Sequence, residues 1–178
     1  MKEILMRSSK KEFLEICKNK HILFDANVFI FGFGHYKEFE ELCNFLIQAK
    51  CVLACFSLVE FEFLRTAHEP KNKEKRENLL KEFREISFIV DDARDDMIKI
   101  ANAYTARRIT GASAVDCCIA TLLKKHNQQV ILATLNHKDF PTFLFDRIFI
   151  YPIDTDKDIF TLAFYRFNVE KAKKIKIM

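Results

Sequence analysis

The chain has 178 residues, of which 49% are hydrophobic and 30% charged, and a formal net charge of +4. That length suits one domain around a single core. Three Gly and three Pro exclude a collagenous, Pro-rich or low-complexity chain, and the hydrophobic content argues against extended disorder.

No apolar run approaches the ~20 residues that cross a bilayer, so no membrane partner is expected. The first twenty residues lack the apolar stretch of a secretory signal. Six cysteines show no C-x-x-C spacing and no clustered histidines, which argues against a structural zinc. They read as small buried thiols in a reducing cytoplasm. The charge is uneven. Residues 1–20 carry six Lys or Arg against three Glu, and residues 165–178 carry five against Glu170. Basic ends suit a polyanion, although an excess this modest is also explained by solubility alone.

Residues 10–18 space Phe13, Leu14 and Cys17 as a short helix does. The apolar run from His21 reads as a buried strand running into a loop at Asp25. Residues 38–49 are helical, and 51–56 form a strand. Ser57 opens a further helix with Glu60 at the capping-box spacing. Pro70 starts a charge-rich helical stretch over 70–86, and 87–90 reads as a third strand. Residues 92–109 form a helix with an acidic first turn, ended by Gly111. Residues 112–126 form another helix. Strands follow at 130–134 and 147–153. The tail is amphipathic and rich in aromatics, with Phe160, Phe164 and Phe167 on one face of a C-terminal helix. Strands and helices alternate, which predicts an α/β fold with a parallel or mostly parallel sheet covered on both faces. No repeat or linker divides it. The reading is one domain over 1–178, with a core at 21–153, a helical extension at 1–20 and a tail at 154–178.

Sites in such sheets lie beyond the carboxyl ends of strands. Asp25 ends the first strand, Glu60 follows the second, and Thr134 to Phe140 follows a later one. Asp116 shares a helical face with Ala112, Ile119, Ala120 and Leu123. A charge on an apolar stripe needs a metal, a cation or several donors. Two readings stand side by side: Asp116 as a ligand, or as a cap for Ser113. Glu60 has the same double reading with Ser57. Glu62, two residues on, points to another side of its helix. Several carboxylates together suit Mg²⁺ or Mn²⁺ and phosphodiester chemistry.

These motifs resemble a PIN domain, a family of metal-dependent ribonucleases that includes VapC-type toxins. The matching segments are Asp25-Ala26-Asn27 with its apolar run, Ser57 to Glu60, Asp116 to Ala120, and Thr134 to Phe140. They fall in the family's order over about residues 21–153. The resemblance implies a three-layer α/β/α sandwich with a central, mostly parallel sheet. It implies a metal-dependent endoribonuclease with Asp25, Glu60, Asp116 and Asp139 as catalytic metal ligands. Ser57, Asn27, Thr134 and Asn136 would support them, and Asn136 stands as the alternative fourth ligand. RNA is the implied substrate, Mg²⁺ or Mn²⁺ the implied cofactor. An antitoxin protein and a homodimer are the implied protein partners. Bulky Phe61, Phe63 and Leu64 depart from the family pattern.

Arg107, Arg108 and Lys138 are candidate RNA-phosphate contacts, with solvated charge as the plain alternative. Phe29, Phe31 and Phe33 alternate after Asp25 and suit core packing better than base stacking. The aromatic tail face reads as core, or as a dimer or antitoxin surface. Two other functions compete. A haloacid-dehalogenase-type phosphatase needs Asp-x-Asp, and Asn27 occupies the second position. A non-catalytic PIN fold that binds RNA or scaffolds would not assemble its acids.

Overall fold

The structure, a computed structural model, describes residues 2–87 and 90–177. It contains one six-stranded sheet, and eight helices among those residues. The strands are β1 (His21–Phe24), β2 (Val52–Phe56), β3 (Arg84–Ile86), β4 (Val130–Thr134), β5 (Phe145–Asp154) and β6 (Ile159–Phe167). The helices are α1 (Lys2–Cys17), α2 (Ala26–Gly34), α3 (Tyr36–Gln48), α4 (Ser57–Arg65), α5 (Pro70–Leu80), α6 (Val90–Thr105), α7 (Ala114–Lys125) and α8 (Val169–Lys174).

The strand order is β3-β2-β1-β4-β6-β5. Strands β3, β2, β1 and β4 run parallel, while β6 runs antiparallel to both β4 and β5. From β1 the chain steps outward to β2 and β3. It then returns to place β4 on the other side of β1. The stepping direction therefore reverses between β1 and β4. In a parallel sheet this leaves a crevice at the carboxyl ends of those two strands. Leu23↔Leu132 and Phe24↔Ala133 fix their register. Both strands are almost wholly buried, which is why they read as continuous apolar runs.

Four sequence expectations need correction. The residues after Asp25 form helix α2, not a loop. Asp25 is its N-cap, with Oδ1 accepting from the Ala26 N–H at 2.7 Å. The alternating phenylalanines hid a helical pair: Phe29 and Phe33 both meet the Phe63 ring on α4. The third strand lies at Arg84–Ile86, earlier than 87–90, because these residues pair with Ala54, Cys55 and Phe56. Phe88 and Ile89 lie outside the described residues, and Val90 already belongs to α6. The box at Ser57 does not form. Strand β2 runs straight into α4, so Phe56 is the extended N-cap and Ser57 is already helical.

The fourth correction concerns the tail. Phe160, Phe164 and Phe167 lie on strand β6, inserted between β4 and β5. A central position buries both faces, and Leu162, Ala163, Phe164 and Tyr165 in succession are buried. A helix cannot be told from a doubly buried strand by apolar content alone. The aromatic face is thus core, not a free docking surface.

Phenylalanine takes the place of tryptophan as core filler. Phe24 of β1 meets Phe29, Phe39 and Phe83 with ring centroids 5.4–5.8 Å apart. Phe13 of α1 stacks on Phe149 at 4.3 Å and meets Phe164 at 4.6 Å. The N-terminal helix is therefore packed on the antiparallel half of the sheet. Arg76 of α5 lies over the Phe33 and Phe63 rings and donates to the Phe63 carbonyl and the Thr66 hydroxyl. It ties α5 to α4.

At Gly32 the helices α2 and α3 approach closely. An added Cβ would sit 2.4 Å from the buried Phe39 ring. Helix propensity favours Ala over Gly by ~1 kcal/mol, but overpacking costs ~1–3 kcal/mol. Gly32→Ala should therefore destabilise the protein by up to about 2 kcal/mol in urea melts, and a stabilised variant would contradict this packing.

Candidate active site

Asp25 stands at the reversal point of the sheet, with its backbone N–H bound to the Ala133 carbonyl of β4 at 3.1 Å. Only 5% of it is exposed. Its carboxylate accepts three hydrogen bonds. Ala26 N–H reaches Oδ1, while Asn27 Nδ2 at 2.5 Å and the Thr134 hydroxyl at 2.7 Å reach Oδ2. The Thr134 oxygen in turn accepts from Asn27 Nδ2 at 3.1 Å and from the Asn136 N–H at 2.9 Å. Donating once and accepting twice, that hydroxyl is fully used. Asn27 closes the circuit by accepting the Leu135 N–H at 2.9 Å. The ends of β1 and β4 are thereby joined through side chains as well as backbone.

Asp116 opens α7 and is 9% exposed. The capping box with Ser113 is formed. Asp116 Oδ2 accepts the Ser113 N–H at 2.6 Å, and Asp116 N–H donates to Ser113 Oγ at 3.2 Å. The local reading of Asp116 is therefore realised. Its charge nevertheless reaches further, raising the pKa of Asp25, Asp139 and Glu62.

Asp139 is 7% exposed and sits in the loop after β4. Asn136 Nδ2 donates to its Oδ2. Buried Tyr104 of α6 donates to its backbone carbonyl at 2.8 Å. Gly111 faces its Oδ1, 3.6 Å from where a Cβ would stand. Neither Tyr104 nor Gly111 was expected here from the sequence. A long-range bond to a backbone carbonyl leaves no sequence motif.

Helix α4 carries two half-buried acids. Burial pushes the Cys55 thiol at the end of β2 up to about 12, and Glu60, in the first turn of α4, adds to this. Glu62 is raised first by burial and then by Asp116, against the lowering influence of Arg65. Ser57 is exposed. Arg107, Arg108 and Lys138 are all exposed as well. The Arg107 guanidinium lies 4.3 Å above the Phe143 ring, beside the loop that bears Asp139.

Burial dominates the electrostatics of the acids. It pushes the Asp25 carboxyl up to about 6, Asp116 adds to this, and the bonds from Thr134, Ala26 and Asn27 oppose it. Asp139 is raised by burial and Asp116, against Asn136 and Lys138. These are carboxyl groups that gain from a nearby cation. The acids themselves offer oxygen donors, the kind that suit hard divalent ions. Among the described residues, no three His, Cys, Asp or Glu side chains converge as an ion-binding group as they stand. Each acid instead turns to a local donor: Asp25 to Thr134 and Asn27, Asp116 to Ser113, and Asp139 to Asn136.

No family model, curated protein or solved structure matches the chain. The functional reading therefore rests on the residues and their geometry. A cavity of about 790 Å³ opens elsewhere, lined by Phe33, Tyr36, Cys43, Leu53, Lys75 and Leu79 among others, and includes none of Asp25, Asp116 or Asp139. No helix among the described residues is long and apolar enough to cross a membrane.

The raised Asp25 pKa has a consequence for stability. A group near 6 when folded and ~3.9 when unfolded binds more protons in the folded state between those values. Its contribution is full below pH ~4 and is lost as pH rises through 6. In chelator-treated protein, Asp25→Asn should gain on the wild type by about 2–3 kcal/mol between pH 4 and pH 7. Paired urea melts across that range measure the difference, and a gap independent of pH would refute the buried-carboxylate account.

Proposed function

We propose that this protein is a PIN-like, divalent-metal-dependent endoribonuclease. The observation that carries the reading is the Asp25 carboxylate at the β1–β4 reversal point, braced by Asn27 and Thr134 and sharing the field of Asp116 with Asp139. That is a strand-end acid with two further acids from separate elements. Right-handed crossovers would carry α2–α5 to one face of the sheet and α6–α7 to the other, giving the three-layer sandwich of that family.

Asp25, Asp116 and Asp139 fit Mg²⁺ or Mn²⁺ by donor chemistry, with Glu60 of α4 as the further acid. When bound, such ions supply positive charge against a phosphodiester and lower the pKa of water. The chain's own contribution is orientation. Thr134 and Asn27 hold Asp25 Oδ2, while Asn136 and Tyr104 hold the Asp139 loop. Asp25 and Asp139, raised by burial and by Asp116, would be returned to the ionised form by a cation. Exposed Arg107, Arg108 and Lys138 would meet the RNA backbone. An antitoxin partner, a homodimer and a cytoplasmic setting accompany the toxin version of this reading.

Purified protein should cleave single-stranded RNA with Mg²⁺ or Mn²⁺ and not with a chelator. Asp25→Asn and Asp116→Asn should bring cleavage to background while leaving the circular dichroism unchanged. Thr134→Val, which removes the hydroxyl that donates to Asp25, should cost ~10–100-fold, the usual scale for a residue that positions a ligand. Full cleavage by either Asp variant would end the proposal. RNA binding with no cleavage and no carboxylate-dependent stabilisation by metal would assign the chain to the scaffold alternative.

A further inference from the structure

The chain from Asp139 into β5 carries Phe140, Phe143, Leu144 and Phe145 in close succession. Phe140, Leu144 and Phe145 are buried, and Phe143 alone keeps part of its surface in solvent. A closed turn sets its backbone: Leu144 N–H and Phe145 N–H both donate to the Pro141 carbonyl at 3.1 Å. Tyr104 meets the Phe143 ring edge-on with centroids 6.0 Å apart, and its hydroxyl donates to the Asp139 carbonyl at 2.8 Å. The half-exposed ring and the acidic loop thus share one buried neighbour.

Arg107 completes the arrangement from α6. Past the helix end, Ile109 N–H returns to the Tyr104 carbonyl and Arg108 N–H to the Thr105 carbonyl, each at 3.0 Å. Arg108 is left-handed at φ 59°. That is a Schellman closure, and it fixes the backbone of Arg107. The side chain is held as well. Its guanidinium lies 4.3 Å above the Phe143 ring, and Nη1 donates to the Ala103 carbonyl at 3.4 Å. Arg107 is exposed, and among the described residues no carboxylate pairs with it. Arg108 and Lys138, also exposed, lie over no ring among those residues.

A phosphate asks only for positive charge, which a mobile side chain supplies. What Arg107 and Phe143 add is a plane. The ring covers one side of the guanidinium and leaves the other to solvent. Unpaired bases stack on aromatic rings and on arginine planes. Bases inside a duplex have both faces taken by their neighbours. We infer that Arg107 and Phe143 form a stacking subsite for one unpaired base of single-stranded RNA, beside the loop that bears Asp139. The inference rests on the reading of the acidic centre as one that takes RNA, and it assigns Arg107 a contact beyond the charge it brings to the backbone.

The test is binding by the full chain, in chelator so that no strand is cut. A short single-stranded oligoribonucleotide is compared with an abasic oligomer of the same length and charge, and with a duplex. Wild type should prefer the strand with bases by ~10-fold over the abasic one, the scale of one stacked base. Arg107→Lys keeps the charge and loses the plane, so it should lose this preference while keeping the salt dependence of binding. Phe143→Leu should lose the preference too. No preference in wild type, a preference intact in Arg107→Lys, or equal binding of single strand and duplex would overturn the inference. Cleavage measured separately with Mg²⁺ distinguishes the two readings. Base preference without metal-dependent cleavage would sink the nuclease and keep the subsite, and cleavage without base preference would do the reverse.

Discussion

A carboxylate sealed at the carboxyl ends of the parallel neighbours β1 and β4 is the constraint around which this molecule is arranged. Burying a charge is costly unless it is paired or hydrogen-bonded, and Asp25 has three donors for that purpose. One of its oxygens starts helix α2, and the other engages the Thr134–Asn27 circuit. The same side chain therefore ends a strand, caps a helix and ties two parallel strands together. Donors alone do not restore the solvation that was lost. The carboxyl remains raised to about 6, close enough to neutral pH for its charge to depend on what stands beside it. A cation there would change both the protonation of Asp25 and the stability of the sheet it joins.

The legible parts of the sequence were those with one dominant local signal. Parallel strands β1 and β4 are apolar throughout because both faces are covered, and their alternation with helices announced the α/β class. Ser113 with Asp116 formed the capping box that the spacing indicated. The same spacing at Ser57 and Glu60 failed, because the strand's last residue, Phe56, took the cap position and moved Ser57 inside the helix. A capping pattern states which side chains can bond; the incoming chain decides where the helix begins. The aromatic tail misled for a related reason. Strand β6 is inserted last between β4 and β5, so it is buried on both faces and loses the alternation that marks a strand.

Asp116 is a cap whose influence does not end at the cap. The cap engages Oδ2, yet the charge of the whole carboxylate acts on Asp25, Asp139 and Glu62. Asp139 is similar, with Asn136 on Oδ2 and the bare Cα of Gly111 facing Oδ1. Each acid is fixed by a short-range bond and coupled to the others by long-range repulsion. Only the first of these is visible in a sequence, because the partners are three residues apart. The repulsion depends on elements α4, α7 and the loop after β4 meeting in space, and nothing in their spacing requires that.

Repulsion among buried acids must be offset elsewhere, and the antiparallel half of the sheet is where the chain has the material to do so. Strand β6 pairs with β4 through Leu132↔Tyr165, Ala133↔Phe164 and Thr134↔Ala163, directly beside the residue that braces Asp25. Phe164 in turn carries the Phe13 ring of α1. The N-terminal helix and the tail, which sequence placed outside the core, thus support β4 from the side that the parallel strands leave open. A fully buried aromatic side chain contributes ~1.5–3 kcal/mol by transfer alone. Phe13, Phe145 and Phe164 together therefore supply an amount comparable to or larger than the cost of holding one carboxyl up at about 6. The elements at both ends of the chain thus add buried apolar surface on the flank of β4, beside the strand end that holds Asp25.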